Sequence, residues 1–208
     1  MDVDIIYYIN LEHRKDRNEQ FLEEIQRMRI DLAKVHRIEG IFTPGIGQLG
    51  CVLSHIKALQ NFLESSYQTC LIFEDDFQVL TDINYTHFLL KNLLGFVEEF
   101  DVIMLAGNIL QKEYTTNPFL HRVLEAQTSA SYIVNRKFAP ILLQNFQESS
   151  KKIEESYLST KKIPEEYSLD VYWKKLQPIS NWFVLNPKIG VQRESYSDIE
   201  NKVTNYGV

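Results

Sequence analysis

The sequence has few cysteines and no long apolar run, and each absence excludes a class of protein. Only two of its 208 residues are cysteine, Cys51 and Cys70, and both lie in apolar stretches. Two such thiols are typical of core residues in a reducing compartment and not of a disulfide framework. No run approaches the roughly 20 apolar residues of a membrane-spanning helix, and the first residues contain no basic stretch or cleavage site. We therefore expect a cytoplasmic protein without a transmembrane segment.

Positive charge is also scarce. The chain has 22 Lys and Arg against 28 Asp and Glu, which gives a formal net charge of −6. The lysines occur as separate pairs among glutamates, whereas a nucleic-acid-binding protein concentrates basic residues on one face. We therefore expect no nucleic-acid partner. A content of 44% hydrophobic and 24% charged residues is that of a globular protein, and we expect one domain over residues 1–208.

Strand and helix patterns alternate along the chain, which predicts an α/β fold. This alternation favours a mainly parallel sheet with helices on both faces. A polar loop is expected around Asn117 and Pro118, residues 149–168 are expected to form a long loop or an exposed helix, and the runs after Trp182 are expected to add edge strands. Strands are predicted at 4–10, 34–38, 71–73, 101–106 and 129–134, and helices at 50–65, at 84–98, around 138–148, and around Phe21, Leu22, Ile25 and Met28.

Three adjacent acidic residues, Glu74, Asp75 and Asp76, follow the apolar residues 71–73. Ligands of open α/β sheets bind at the carboxyl ends of the strands, and a cation relieves the repulsion between neighbouring carboxylates. Oxygen ligands of this kind suit Mg²⁺ or Mn²⁺, which in turn bridge phosphate oxygens. Because side chains alternate along an extended chain, Glu74 and Asp76 are expected to face the metal, with Asp75 pointing elsewhere. The alternative is a solvated acidic turn.

Residues 45–50 match the GxGxxG pattern of dinucleotide-binding proteins, but they do not follow the first strand as that pattern requires. We expect these glycines to let a loop approach a ligand and to open the helix that contains Ser54 and His55. Arg14 and Arg17 follow the first strand and are suited to clamp a phosphate. Their alternative role is to form surface ion pairs.

Several blocks of sequence occur along the chain and are specific as a set. Ile9-Asn10-Leu11, followed by Arg14, Asp16 and Arg17, has the form "INLxxRxDR". Further blocks are residues 47–55 ("GxxGCxLSH"), 71–76 ("hhhEDD"), 101–105 ("WDhhhL", with Phe100 in place of Trp), 131–134, 169–170 ("PxD", with Ser168 and Leu169 departing from the usual residues) and 197–199 ("SDI"). This set of blocks resembles glycosyltransferase family 25, which comprises lipopolysaccharide and procollagen galactosyltransferases.

The resemblance implies a GT-A fold, a divalent metal such as Mn²⁺ or Mg²⁺, and a UDP-galactose or UDP-glucose donor. It also implies transfer with inversion to a glycan or to a protein hydroxyl group. The metal is expected on Asp76 and Glu74, with Gln192 or Asp198 as a further polar contact. The donor is expected against Asn10, Leu11, Arg14, Arg17, Gly47, Ser54, His55, Glu74 and Asp75.

Asp170 is the residue expected to act as catalytic base. The resemblance points to it, and it stands between the apolar residues Leu169 and Val171, where its pKa can be raised. Its alternative role is to cap a helix. Two other functions are also compatible with the pattern, namely a nucleotide-sugar nucleotidyltransferase and a non-catalytic sugar-binding domain of the same fold.

Overall fold

Strands and helices alternate over most of the chain in the computed structural model, which describes residues 3–97, 99–197 and 202–204. The strands are β1 (Ile5–Asn10), β2 (Val35–Glu39), β3 (Thr69–Glu74), β4 (Phe77–Val79), β5 (Val102–Met104), β6 (Asn108–Tyr114), β7 (Leu120–Gln127), β8 (Ser131–Asn135), β9 (Trp182–Leu185), β10 (Gly190–Gln192), β11 (Ser195–Ser197) and β12 (Lys202–Thr204). The helices are α1 (Lys15–Arg27), α2 (Gly47–Glu64), α3 (Ile83–Asn92), α4 (Ala139–Thr160) and the single-turn α5 (Leu169–Tyr172).

Eight of these strands form one sheet in the order β2-β1-β3-β8-β5-β9-β7-β6. The β1 strand is parallel to both β2 and β3, and β5 is parallel to β9. Strands β8 and β7 run opposite to the others, since each is antiparallel to both of its neighbours in the sheet. The short strands β4 and β10 pair separately, next to the carboxyl end of β3.

Helices cover both faces of this sheet. Side chains alternate along β1, so that Ile5 and Tyr7 pack into a core with α2 and α4, whereas Ile6 and Tyr8 pack into a second core with α1 and α3. The α/β class and the two covered faces are therefore as the sequence predicts. Among the described residues, no helix combines the length and the apolar character that crossing a membrane requires.

The structure corrects two details of the predicted architecture and adds a hairpin. The sheet is mixed and not mainly parallel, because β8 and β7 enter it in reverse. The β9 strand lies between β5 and β7 and is not an edge strand. Asn117 and Pro118 lie in a loop as predicted, but this loop joins β6 to β7 in a hairpin that the sequence does not predict. Of the two alternatives for residues 149–168, the helix is correct as far as Thr160, where α4 ends and Lys161 has a positive φ of 56°.

Candidate functional site

The predicted site residues converge at one edge of the sheet, where β1 and β3 end and β8 begins. Helix α1 follows β1 at this edge, and α2 begins with Gly47 beside it. The acidic triplet is split between the last residue of β3, Glu74, and the turn that follows it, Asp75 and Asp76. The chemistry of the edge therefore depends on what faces each of these three carboxylates.

Asp75 and Asp76 share a cation. Arg17, in the first turn of α1, donates from Nη1 to Asp75 Oδ1 at 3.0 Å and to Asp76 Oδ2 at 3.2 Å. Asn10 donates from Nδ2 to Asp75 Oδ2 at 2.7 Å. Burial raises the pKa of Asp75, although the charge of Arg17 and the Asn10 bond offset part of that rise. The prediction that Asp75 points away from Asp76 is wrong, because β3 ends at Glu74 and the chain turns there.

Asp76 is the most strongly perturbed of the three acids. Its Oδ2 also accepts from Gln192 Nε2 of β10 at 3.0 Å, whereas its Oδ1 is buried without a hydrogen-bond partner. The residue is only 4% exposed. Burial, followed by the negative charge of Glu74, raises the pKa of Asp76 to about 7. A buried carboxylate oxygen without a partner is the kind of atom that a bound cation satisfies.

Glu74 faces the other way, toward α2 and the start of β8. Its Oε1 accepts from Ser129 Oγ at 2.5 Å and lies 3.3 Å from His55 Nε2. The second ring nitrogen of His55, Nδ1, lies 2.9 Å from the hydroxyl of the buried Tyr132. Burial alone would raise the pKa of Glu74, but the bonds from His55 and Ser129 and the charge of His55 outweigh it and leave that pKa below its ordinary value. Glu74 is therefore held ionised.

A first cavity opens over the acidic triplet between β1, α1 and the start of α2. Its lining combines charged side chains, among them the acidic triplet, with apolar side chains. It is lined by Ile9, Leu11, Arg14, Arg17, Ile41, Phe42, Thr43, Gly47, Gly50, Cys51, Ser54, His55, Glu74, Asp75, Asp76 and Gln192.

The loop before α2 forms one wall of this cavity and is tied to the helix. Ser54 donates from Oγ to the carbonyl oxygen of Gly50 at 2.6 Å and accepts from the backbone N–H of Ile41 at 2.8 Å. A Cβ atom on Gly50 would lie 2.3 Å from Ile41 O and 2.8 Å from Thr43 Oγ1, so only glycine permits this approach. Gly47 and Gly50 both line the cavity, and their expected approach to a bound ligand stays a prediction.

A second cavity adjoins the first and contains Asp170. The Oδ2 atom of Asp170 accepts from the backbone N–H of Thr128 at 3.0 Å, and burial raises the pKa of this carboxyl. Thr128 has a φ of 78°, which is rare for a β-branched residue. The second cavity is lined by Gln48, Cys51, Glu74, Asn108, Gln127, Thr128, Ser129, Ile163, Glu165, Ser168, Leu169, Asp170, Val171 and Gln192.

The helix-capping alternative for Asp170 does not describe its position. Helix α5 begins at Leu169, and its N-cap is Ser168, which makes no side-chain capping bond. Asp170 lies inside the helix and reaches across to the segment before β8. Its carboxylate is therefore placed by a neighbouring segment and faces a cavity.

Not all of the predicted donor residues face the first cavity. Leu11, Arg14, Arg17 and Gly47 line it, but Asn10 does not. The amide of Asn10 is used inside the protein, since Oδ1 accepts from Arg37 Nε at 2.9 Å and Nδ2 also donates to Arg14 O at 3.0 Å. Arg14 forms an ion pair with Asp16 at 2.9 Å. Asp198 lies outside the described residues, so its expected contact stays a prediction.

Sequence reasoning missed two residues of this site, Ser129 and Thr128. Both precede β8, the strand that lies antiparallel beside β3, and their place at the site depends on that reversed pairing. A prediction of parallel strands puts the start of β8 at the opposite edge of the sheet. The polar residues 127–129 are the feature of the sequence that indicates a site here, but they can be assigned to it only when the direction of β8 is known.

Two overlapping sets of side chains can hold a metal. Asp76 and Glu74 are the predicted pair, and the unpartnered Oδ1 of Asp76 fits that role. A second group consists of Cys51, His55 and Glu74, whose ligand atoms all lie within 4.8 Å of one another. A cluster of side chains with metal-ligating chemistry is thus present, and Glu74 belongs to both sets.

Comparisons with known proteins agree with the resemblance seen in the sequence. A family model described as "Glycosyltransferase family 25 (LPS biosynthesis protein)" matches residues 45–160. Procollagen galactosyltransferase 2 of Mus musculus and its Homo sapiens counterpart are each 24% identical to this chain over 134 residues, which covers 53% of the chain and 20% of the relative. The chain thus spans about a fifth of the length of these curated relatives.

A solved structure agrees in fold. The glycosyltransferase GlyE of Streptococcus pneumoniae TIGR4 has a TM-score of 0.51 and 10% sequence identity, with 87% of this chain and 45% of GlyE covered. At this identity the likeness is one of fold alone, and it agrees with the expected GT-A-type α/β architecture. The family model spans more than half of the chain, from the loop before α2 to the end of α4, and includes the acidic triplet. The chain belongs to glycosyltransferase family 25.

Proposed function

We propose that this chain transfers a hexose from UDP-galactose or UDP-glucose to a hydroxyl group, with the help of a divalent metal and with inversion at the anomeric carbon. The observation that carries the proposal is the meeting of two cavities at Glu74, Cys51 and Gln192. One contains cations beside an acidic triplet, and the other contains a carboxylate with a raised pKa. A donor and an acceptor bound in the two cavities would meet at this junction.

The first cavity suits the nucleotide diphosphate. Arg14 and Arg17 supply positive charge at the end of β1, where nucleotides bind in open α/β sheets. Leu11 and Phe42 add apolar surface on which the uracil base could pack, and the Phe42 side chain is 54% exposed. Asp76 and Glu74 would hold Mn²⁺ or Mg²⁺, which when bound neutralises charge on the departing diphosphate.

The second cavity suits the acceptor, with Asp170 as the base that removes the proton from its hydroxyl group. A base must be ionised at the working pH and yet able to take a proton, and the raised pKa of Asp170 favours that balance. The N–H of Thr128 donates to Oδ2 and so fixes the carboxylate beside the second cavity. Inversion requires this base to lie across the reacting carbon from the diphosphate, and two adjoining cavities that share Glu74 are compatible with that requirement.

The lining of the second cavity favours an uncharged acceptor over an anionic one. It combines the carboxylates of Glu74, Glu165 and Asp170 with amides and hydroxyl groups, and none of its described lining residues is Lys, Arg or His. An acceptor that carries a phosphate or carboxylate would meet like charge there. We therefore propose a neutral sugar or a protein hydroxyl group as the acceptor.

Donor binding tests the first half of this proposal. The melting temperature should rise with UDP and Mn²⁺ together, more than with either alone, because a ligand bound only by the native state stabilises it. CDP and GDP, with the same diphosphate, are the controls for the base. Arg14→Ala should weaken UDP binding, whereas Arg29→Ala should not, because Arg29 is exposed beyond the end of α1 and does not line the cavity. Equal shifts with all three nucleotides, or an unchanged affinity in Arg14→Ala, would contradict the placement.

Turnover tests the second half. A metal-dependent transferase should release UDP slowly from its correct donor even with water as the acceptor, and faster with a suitable sugar. Binding of UDP and Mn²⁺ without any release of UDP would indicate instead a non-catalytic domain of the same fold. Formation of a nucleotide sugar from a sugar phosphate and UTP would indicate a nucleotidyltransferase.

A further inference from the structure

Helix α2 and strand β3 bring together a thiol, an imidazole and a carboxylate at the junction of the two cavities. Cys51 and His55 are four residues apart on α2, so they lie on one face of the helix, and Glu74 ends the strand opposite. The sulfur, nitrogen and oxygen atoms of the three side chains are all within 4.8 Å of one another. Cys51 lines both cavities, so solvent can reach the cluster from either side.

One edge of this cluster already has the length found in a tetrahedral metal site. The 3.3 Å between His55 Nε2 and Glu74 Oε1 equals the ligand-to-ligand edge of about 3.3 Å expected for bonds of about 2.0–2.1 Å. Nδ1 of His55 lies 2.9 Å from the Tyr132 hydroxyl, and the two rings stack with centroids 5.7 Å apart. A second partner of this kind fixes the ring of a metal-binding histidine and directs its free nitrogen to the metal.

We propose that Cys51, His55 and Glu74 form a site for a thiophilic divalent cation, represented by Zn²⁺ or Co²⁺. Thiolate and imidazole ligands favour these ions over Mg²⁺ and Mn²⁺, which favour oxygen ligands. Three protein ligands leave a fourth position for water, which the adjoining cavities can supply. Binding displaces the thiol proton, so the apparent affinity rises with pH.

This site shares Glu74 with the predicted pair Asp76 and Glu74. A cation bound by Cys51 and His55 would hold the Glu74 carboxylate on the side of α2 where it already lies, so that it could not turn toward Asp76. Zn²⁺ should therefore exclude Mn²⁺, and the soft-metal site would inhibit the enzyme. This second step rests on the proposed function, whereas binding of the thiophilic ion does not.

Cobalt binding tests the site directly. Co²⁺ added to the whole chain should bind with one equivalent per molecule and produce a thiolate-to-cobalt charge-transfer absorption. Cys51→Ser should lose this absorption and weaken Co²⁺ binding by at least about 10- to 100-fold, the loss that even outer-shell changes produce. Cys70→Ala is the matched control, because Cys70 is buried in β3 and is the second of the two cysteines. Cys51→Ala, with circular dichroism as a check of folding, gives the same reading if the serine variant is unstable.

No charge-transfer absorption in the wild type, or the same absorption in Cys51→Ser, would overturn the proposal.

The exclusion of Mn²⁺ by Zn²⁺ is tested separately, by the electron paramagnetic resonance of Mn²⁺ with UDP present. Zn²⁺ should release Mn²⁺ from the wild type and should need at least about tenfold higher concentration in Cys51→Ser. Retention of Mn²⁺ at saturating Zn²⁺ would overturn the sharing of Glu74. Failure of the proposed function would appear differently, as absence of Mn²⁺ binding with UDP alongside an intact cobalt signal.

Discussion

At the scale of single residues, Asp76 carries an electrostatic cost that a metal would remove. Its carboxylate is buried and is repelled by the charges of Glu74 and Asp75, and the nearby Arg17 offsets only part of that repulsion. Burial, followed by the charge of Glu74, raises its pKa from about 3.8 to about 7. An acid whose pKa is raised by folding binds its proton more tightly in the native state than in the unfolded state. Its ionisation therefore lowers the free energy of unfolding.

This shift predicts a pH dependence with a definite sign. As the pH rises from about 4 to about 7, the unfolded state loses the Asp76 proton first, so Asp76 makes the metal-free protein progressively less stable. Asp76→Asn removes this loss. In EDTA the melting temperature of the variant should equal that of the wild type near pH 4 and exceed it by several degrees at pH 8. A variant less stable than the wild type at pH 8 would contradict the assigned environment.

Mn²⁺ should reverse this order. A metal that uses Asp76 competes with its proton, so Mn²⁺ with UDP should stabilise the wild type most above pH 7 and should stabilise Asp76→Asn little. Asp75→Asn is the matched comparison, because Asp75 is tied to Asn10 and Arg17 and is not predicted to hold the metal. Greater loss of Mn²⁺ binding in Asp75→Asn than in Asp76→Asn would reassign the ligands.

Asp170 is predicted to matter for turnover and not for donor binding. Asp170→Asn retains the shape of the side chain and one oxygen that can accept a hydrogen bond from Thr128 N. It cannot remove the proton from the hydroxyl group of the acceptor sugar or protein. Loss of a general base commonly costs about 10²- to 10⁴-fold in rate, so kcat should fall by that order while the affinity for UDP stays within about twofold. Because burial raises the pKa of Asp170, the variant should melt no lower than the wild type at pH 8. Activity within a few-fold of the wild type would remove Asp170 from the mechanism.

At the scale of elements, the loop before α2 depends on Gly50 for its position over the first cavity. Gly50→Ala would place a methyl group 2.3 Å from Ile41 O and so push the loop away from the helix. We expect weaker UDP binding, by about tenfold, together with a lower melting temperature, because backbone atoms cannot yield as a flexible side chain can. Gly95→Ala is the control, since a Cβ there meets nothing within 4 Å. Equal behaviour of the two variants would show that the loop position does not matter for the donor.

The elements also show how far the sequence alone leads. Strands β1 and β3 and helices α1 and α2 follow from apolar periodicity, and they place Arg14, Arg17, Glu74 and His55 correctly at one sheet edge. The hairpin of β6 and β7 does not follow, because β6 is largely exposed and contains Gln111, Lys112 and Glu113 in place of an apolar run. The extension of α4 past residue 148 is one of two alternatives that the sequence leaves open, since a charged segment with few apolar residues fits an exposed helix as well as a loop.

The same limit applies to the site. Side-chain alternation predicts that Glu74 and Asp76 face the same way, but this holds only if the strand continues to Asp76. The strand β3 ends at Glu74, so alternation does not apply to Asp75 and Asp76. The roles of Ser129 and Thr128 depend on β8 running antiparallel to β3. Strand direction is set by contacts between distant segments, which local periodicity does not record.

At the scale of the whole molecule, the sheet edge assembles residues from nearly the full length of the chain, from Arg14 to Gln192. The family model matches residues 45–160. Arg17 and Gln192 lie outside this span, and both contact Asp76, which lies inside it. The chain corresponds to about a fifth of its procollagen galactosyltransferase relatives. The proposed reaction therefore concerns only the residues of this chain, and nothing is inferred about the remaining length of those relatives.

Release of UDP from UDP-galactose and UDP-glucose tests the central claim most directly. The account predicts that the wild type releases UDP from at least one of these donors with Mn²⁺ or Mg²⁺ present, and that EDTA abolishes the release. Asp76→Asn should reduce the release by about 10²-fold or more, the order of loss for removing a group that stabilises developing charge. Release of UDP that is equally fast in EDTA, or in Asp76→Asn with saturating metal, would contradict metal-dependent transfer at this site.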